Sequence, residues 1–256
     1  MERQVHIVPL GWEIDRAVLP IRAWHAHKVY LLCNPDSHEE QRRSYERVRG
    51  LLERTGVEVS LVRVDANDDV KGIIREVARL IKKTLQDADR VYLNMSAAGK
   101  IAAAASTLAA MAHVPRGKGM VYYVRPDSYT DSVAARRKHG LSRGMKGDPV
   151  VLPRFELRLP SVEGQLVLRA LLAKRPDALS YKQLIHLLRD AKTRGFENAR
   201  YEKDTPRAEK NRLNVTLNKR ILQKLVSEGL VELETQGRAR SVRLTVEGEY
   251  FAYLCA

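Results

Sequence analysis

The chain has 256 residues, 44% of them hydrophobic, and a formal net charge of +14. That length accommodates one large domain or two ordinary ones, and the hydrophobic share is that of a globular protein rather than a disordered one. The charge is uneven: residues 1–126 hold 20 basic against 15 acidic side chains and residues 127–256 hold 25 against 16, which points to a polyanionic partner for the second half.

Residues 5–10 form a short apolar strand ending at Pro9-Leu10-Gly11-Trp12, and a helix is expected over 13–24, kinked or interrupted by Pro20. A second strand, 28–34, precedes the turn Pro35-Asp36-Ser37, where Ser37 followed by Glu40 reads as a capping box for a helix that stops at Gly56. A third strand covers 57–64. After the loop 65–68, residues 70–86 make an amphipathic helix with Ile73, Ile74, Val77, Leu80 and Ile81 on one face. Residues 90–94 are a fourth strand, 101–112 an alanine-rich helix with no polar face, and 120–124 a fifth strand. Strands alternating with helices five times give parallel βαβ units, so the fold class is α/β and Rossmann-like.

The fourth strand stops abruptly at Asn94-Met95-Ser96-Ala97-Ala98-Gly99-Lys100. Ligands of open parallel sheets bind beyond the carboxyl ends of the strands, and a helix start there offers free N–H groups to an anion. Ser96 is expected to cap the helix or donate to a ligand, Gly99 to let the backbone come close, and Lys100 to add a full charge. The spacing fails as a P-loop, because Met95 and Ile101 stand where that motif needs other residues, and no Gly-x-Gly-x-x-Gly is present. The turn after the first strand should lie at the same sheet edge, with Trp12 able to stack on a base. The all-apolar helix must be buried on most sides.

His6, His25, His27 and His38 share no metal spacing, and no catalytic constellation is assigned; no metal or cofactor is expected. Cys33 and Cys255 give no disulfide framework, and Cys33 reads as a core thiol. Without a run of about 18 apolar residues or a secretory leader, the chain is expected to be cytoplasmic with no membrane partner.

Residues 127–160 change character. Arg136-Arg137-Lys138-His139-Gly140 and Arg143-Gly144-Met145-Lys146-Gly147 read as an exposed basic loop, either simply solvated or in contact with an anion, and 150–152 with 155–159 as a hairpin. The expected division is therefore a ligand-sensing domain over 1–126, a basic linker over 127–160 and a third region over 161–256.

In that last region, helices are expected over 162–174, from Ser180, and over 206–228, with Gly229 as the stop. At 100° per residue, Val215, Ile221, Leu222, Leu225 and Val226 share one arc of the third helix. Arg212, Thr216, Lys219, Arg220, Gln223 and Lys224 share the opposite one. Strands at 230–234 and 241–244 flank the turn Gln236-Gly237-Arg238-Ala239, and a closing helix follows. Three helices and a two-stranded wing make a winged helix-turn-helix, and the phrase from Ile221 to Glu232 resembles the end of the recognition helix in many winged-helix regulators. Such a helix enters the major groove of double-stranded DNA, and Arg238 and Arg240 at the wing tip would reach phosphate or the minor groove.

Taken together, a Rossmann-like domain, the motif Asn94–Lys100 and a winged helix resemble the CARF family, CRISPR-associated Rossmann-fold regulators that are mostly archaeal. Ser96, Gly99 and Lys100 match that family's turn after the fourth strand, with Ala97 and Ala98 where small residues occur. Leu10, Gly11 and Trp12 match its other ligand loop. The resemblance implies a homodimer that binds cyclic oligoadenylate across its two-fold axis and operator DNA through its winged helices. The alternative it leaves open is a ring nuclease that cleaves cyclic oligoadenylate, with the winged helix as an accessory domain.

Overall fold

The computed structural model describes residues 2–64, 69–155, 157–236 and 239–255. The chain divides into two compact units, Met1–Leu157 and Arg158–Ala256. The expected turn 65–68 and Arg238 at the wing tip lie outside the described residues.

In the first unit, five parallel strands alternate with helices: β1 Gln4–Pro9, α1 Asp15–Ala23, β2 Lys28–Cys33, α2 Glu39–Glu53, β3 Glu58–Arg63, α3 Val70–Asp87, β4 Arg90–Asn94, α4 Lys100–His113 and β5 Gly119–Tyr123. Then come β6 Ser128–Tyr129, α5 Val133–His139, β7 Ser142–Arg143 and β8 Val150–Val151. The main sheet runs β3-β2-β1-β4-β5-β8. Strand β1 is paired in parallel with both β2 and β4, so the strand order reverses beside it. The α3 face read from the sequence is buried throughout, and Asp69 caps that helix by accepting from the Gly72 N–H at 2.7 Å. At the middle of the sheet, His6, Trp24, Tyr92 and Tyr122 pack ring against ring, with the His6 Nδ1 2.9 Å from the Tyr122 hydroxyl.

Several local expectations change. Pro20 sits inside α1 without interrupting it. A proline has no N–H for the carbonyl four residues back, here that of Arg16. The Asn94 side-chain amide donates to that carbonyl instead, at 2.8 Å. The capping box at Ser37 does not form: His38 is the N-cap residue, and the Ser37 hydroxyl donates to the Asn34 carbonyl. Helix α4 is buried on most sides, as expected, but open along one stripe, where Ile101 is 49% and Leu108 44% exposed.

Residues 127–155 belong to the first unit, and the basic run is exposed as expected but is not a loop: Arg136–His139 lie in helix α5 and Arg143 in β7. The expected hairpin is absent among the described residues, since Val150–Val151 pairs antiparallel with β5 and Phe155 is in no strand. Pro153 and Pro160 bound that stretch and each lacks a ladder donor.

The second unit comprises α6 Val162–Lys174, β9 Leu179–Ser180, α7 Tyr181–Asp190, α8 Arg207–Leu217, a π turn Asn218–Leu222, α9 Gln223–Ser227, β10 Val231–Gln236, β11 Ala239–Leu244 and α10 Val246–Leu254. It is a winged helix. The wing is three-stranded, with β9 on the far side of β11, and Ser180 with Gln183 forms a complete capping box for α7. Leu213, Leu217, Ile221, Leu222 and Leu225 of the long third helix enter its core. Val215 and Val226, expected on the apolar arc, are exposed. The π turn supplies the reason: an i→i+5 turn holds more residues than 100° spacing allows, so the phase slips between Leu217 and Ile221.

Candidate functional site

Because β1 and β4 are neighbours, the turns that follow them meet. The Gly11 N–H donates to the Ala97 carbonyl at 2.7 Å. A Cβ at Gly11 would lie 3.2 Å from that oxygen, so a side chain there would crowd the approach. From α2, the Gln41 amide donates to the Leu10 carbonyl at 2.8 Å and fixes the loop from the other side.

The turn after β4 is held from within. The Asn94 Oδ1 accepts from the Ser96 N–H at 2.8 Å while its amide nitrogen reaches Arg16. The Ser96 hydroxyl accepts from the Val124 N–H, just past the end of β5. Ser96 is therefore not the cap of α4; Gly99 is, with no side chain over the helix start. Leu10, Asn94, Ser96 and Ala97 are interior and hold the turn. Trp12, Gly99 and Lys100 are exposed, with Gly11 and Ala98 half-buried beside them. What faces solvent is the start of a 14-residue helix, whose first N–H groups have no intrahelical partner. A lysine stands at its first position.

Next to Trp12 lies a cleft of about 240 Å³, walled by Ile14, Arg43, Val133, Arg136, Arg137 and Leu141. Its far wall is α5, the basic run of the sequence. Two acidic residues dock that arm. Glu13, buried, accepts from the Ser142 N–H at 3.1 Å and hydroxyl at 2.7 Å, and pairs with Arg16 at 3.1 Å. Asp15 lies 2.8 Å from the His139 Nδ1 and accepts from the Gly144 N–H at 2.9 Å. Gly140 passes so close to the loop, at φ +87°, that a Cβ there would sit 2.4 Å from the Trp12 carbonyl. Sequence reasoning did not place Arg43, Arg136 and Arg137 at a cleft with Trp12. The arginine run was visible, but its anchors are acids more than a hundred residues away.

On the winged helix, Arg212, Lys219, Gln223 and Lys224 are exposed, with Thr216 half-buried between them and its hydroxyl donating to the Arg212 carbonyl at 2.9 Å. Arg220 differs from these: its Nη1 donates to the Arg194 carbonyl at 2.6 Å and its Nη2 lies 3.8 Å from Glu163. It ties the third helix to its own domain. Arg240 on β11 is exposed. Among the described residues, no group of three or more His, Cys, Asp or Glu side chains is placed to hold a metal ion, and no helix is long and apolar enough to cross a membrane.

Residues 4–129 match the domain family described as HFX_2341_N:-like, N-terminal, and residues 163–256 match the DUF6293 C-terminal winged helix domain. The uncharacterized protein MJ1513 of Methanocaldococcus jannaschii is 26% identical over 208 residues, covering 73% of this chain and 61% of that protein. The chain thus spans about 61% of the length of the curated relative it matches. Among solved structures, Enterococcus italicus Csm6 bound to cyclic hexa-2'-fluoro-hexa-dAMP superposes with a TM-score of 0.40 at 9% identity, covering 90% of this chain and 56% of that one. Can2 from Sulfobacillus thermosulfidooxidans in complex with cyclic tetra-adenylate superposes with a TM-score of 0.37 at 15% identity, covering 98% and 64%.

Proposed function

We propose that this chain, an HFX_2341_N-like domain followed by a DUF6293-type winged helix, is a CARF-type transcription regulator that senses a nucleotide second messenger and binds double-stranded DNA. The messenger in this reading is a cyclic oligoadenylate. The observation that carries the reading is the meeting of the two turns, where Gly11 touches Ala97 and the open helix start at Gly99–Lys100 faces solvent at the edge where strand order reverses. Backbone N–H groups, a partial positive helix end and a full charge converge there on any phosphate. The apolar stripe Ile101, Ala104 and Leu108 on the same helix supports a homodimer, which would set two such turns face to face across a two-fold axis and suit a symmetric, multiply charged ring.

The regulator reading is preferred to the ring nuclease because Glu13, the buried carboxylate beside the turns, has both oxygens engaged, Oε1 with Arg16 and Oε2 with Ser142. A general base needs a free lone pair aimed at the reacting proton. The test is calorimetric titration with linear and cyclic oligoadenylates of several lengths, followed by chromatography of the recovered ligand. Lys100→Ala should weaken binding by roughly one to two decades, the worth of a charge-assisted hydrogen bond. No binding to any of them by the parent protein would refute the ligand assignment, and recovery of cleaved ligand would favour the nuclease.

A further inference from the structure

The winged helix carries a second polar site. A cleft of about 600 Å³ opens between the third helix, the start of α7 and the wing, and Asn211, Asn214, Val215, Asn218, Tyr181 and Arg240 line it. The side-chain oxygens of Asn214 and Asn218 are buried and have no hydrogen-bond partner. Buried acceptors are almost always satisfied, by water where no protein donor is at hand, so neither amide gives up a bond within the chain when it turns to a donor in the cleft. Asparagine is also among the weaker helix formers, yet three of them fall within eight residues here, on one side of the helix. The last, Asn218, opens the π turn, a distortion that recurs at functional sites. Val215, between them, is 52% exposed although its neighbours in the sequence pattern are core.

These features have one chemistry in common. In the major groove, adenine presents an N6–H₂ donor beside its N7 acceptor, which an asparagine amide meets with its own oxygen and nitrogen; thymine presents a methyl group. Cytosine offers a donor without the adjacent acceptor, and guanine offers acceptors only. We infer that Asn214 and Asn218, with Val215, are the base-reading residues of this winged helix and select A·T pairs in the operator. This rests on the DNA-binding reading above and adds to it: Lys219 and Arg212 supply affinity for phosphate, whereas the asparagine row supplies sequence preference.

The experiment is selection of binding sites from a random duplex library by the full chain at fixed salt, followed by affinities for the selected site and its modified forms. The parent should enrich A·T at the contacted positions. Asn214→Ala/Asn218→Ala should lose roughly 5- to 150-fold of discrimination per contacted pair while keeping its affinity for unrelated duplex. Base substitutions test the same point on unaltered protein: 7-deazaadenine for adenine, or uracil for thymine, in the selected site should weaken parent binding. Only the uracil change should leave Val215→Ala unaffected. Base preference identical in parent and asparagine variant, with affinity insensitive to both modified bases, would overturn the assignment while leaving DNA binding standing. Failure of the parent to bind any duplex would overturn both.

Discussion

At the scale of single residues, Asn94 shows how a side chain that looks like a ligand contact can be a fastener. Its amide spans two places at once, standing in for the N–H that Pro20 lacks and orienting the N–H of Ser96. Asn94→Ala leaves the Arg16 carbonyl and the Ser96 N–H without those partners, and a buried unsatisfied group costs about 1–3 kcal/mol. The urea midpoint of the first unit should drop accordingly, with ligand affinity falling only as far as the turn loosens. His6 gives a second expectation. Burial pushes its pKa down from 6.5 to about 3. Between those values the unfolded chain holds a proton that the folded one does not, so stability is lost as pH falls from 6.5 towards about 3, at about 1.4 kcal/mol per pH unit. Above 6.5 this contribution is flat. Denaturation curves across that range test it, and His6→Gln should flatten the slope.

At the scale of elements, the alternation of strand and helix was readable because each segment carries its own period and its own stop, as α3 does with its apolar face and Gly56 and Gly229 do at positive φ. What the sequence concealed was set by partners far along the chain. No local signal says that Asn94 repairs the helix at Pro20 by donating to the Arg16 carbonyl, 78 residues earlier in the chain. Nor does one say that Glu13 anchors Ser142, 129 residues later. A fixed helical period also cannot see a π turn, which is why Val215 changed sides. The same turn region separates the roles of two adjacent basic side chains, Lys219 and Arg220. Lys219→Ala should weaken duplex binding evenly across sequences and reduce the salt slope by about 1, as loss of one phosphate contact does. Arg220→Ala should instead lower the melting temperature of the winged helix, since its guanidinium is spent on Arg194. Filter binding over a salt series and calorimetric melting of both variants separate the two.

At the scale of the whole molecule, the feature that decides behaviour is the open stripe on α4. Ile101, Ala104 and Leu108 recur at helical spacing on an otherwise packed helix. Sedimentation equilibrium at micromolar concentration should give twice the 29.0 kDa chain mass, and Leu108→Glu should return it to one. The helix was recognisable in the sequence as too apolar for one sheet face, although which side stayed open was not, because that depends on which face α3 covers. That stripe begins at Ile101, one residue after Lys100, so the proposed dimer would form on the same first turn of helix as the proposed ligand site. On that reading, a cell that halves its stock of this protein would lose more than half of its sensors: in the dilute limit a paired form falls with the square of the chain count. The alarm level of such a sensor would be set by how much of the protein is made as well as by how much messenger is present.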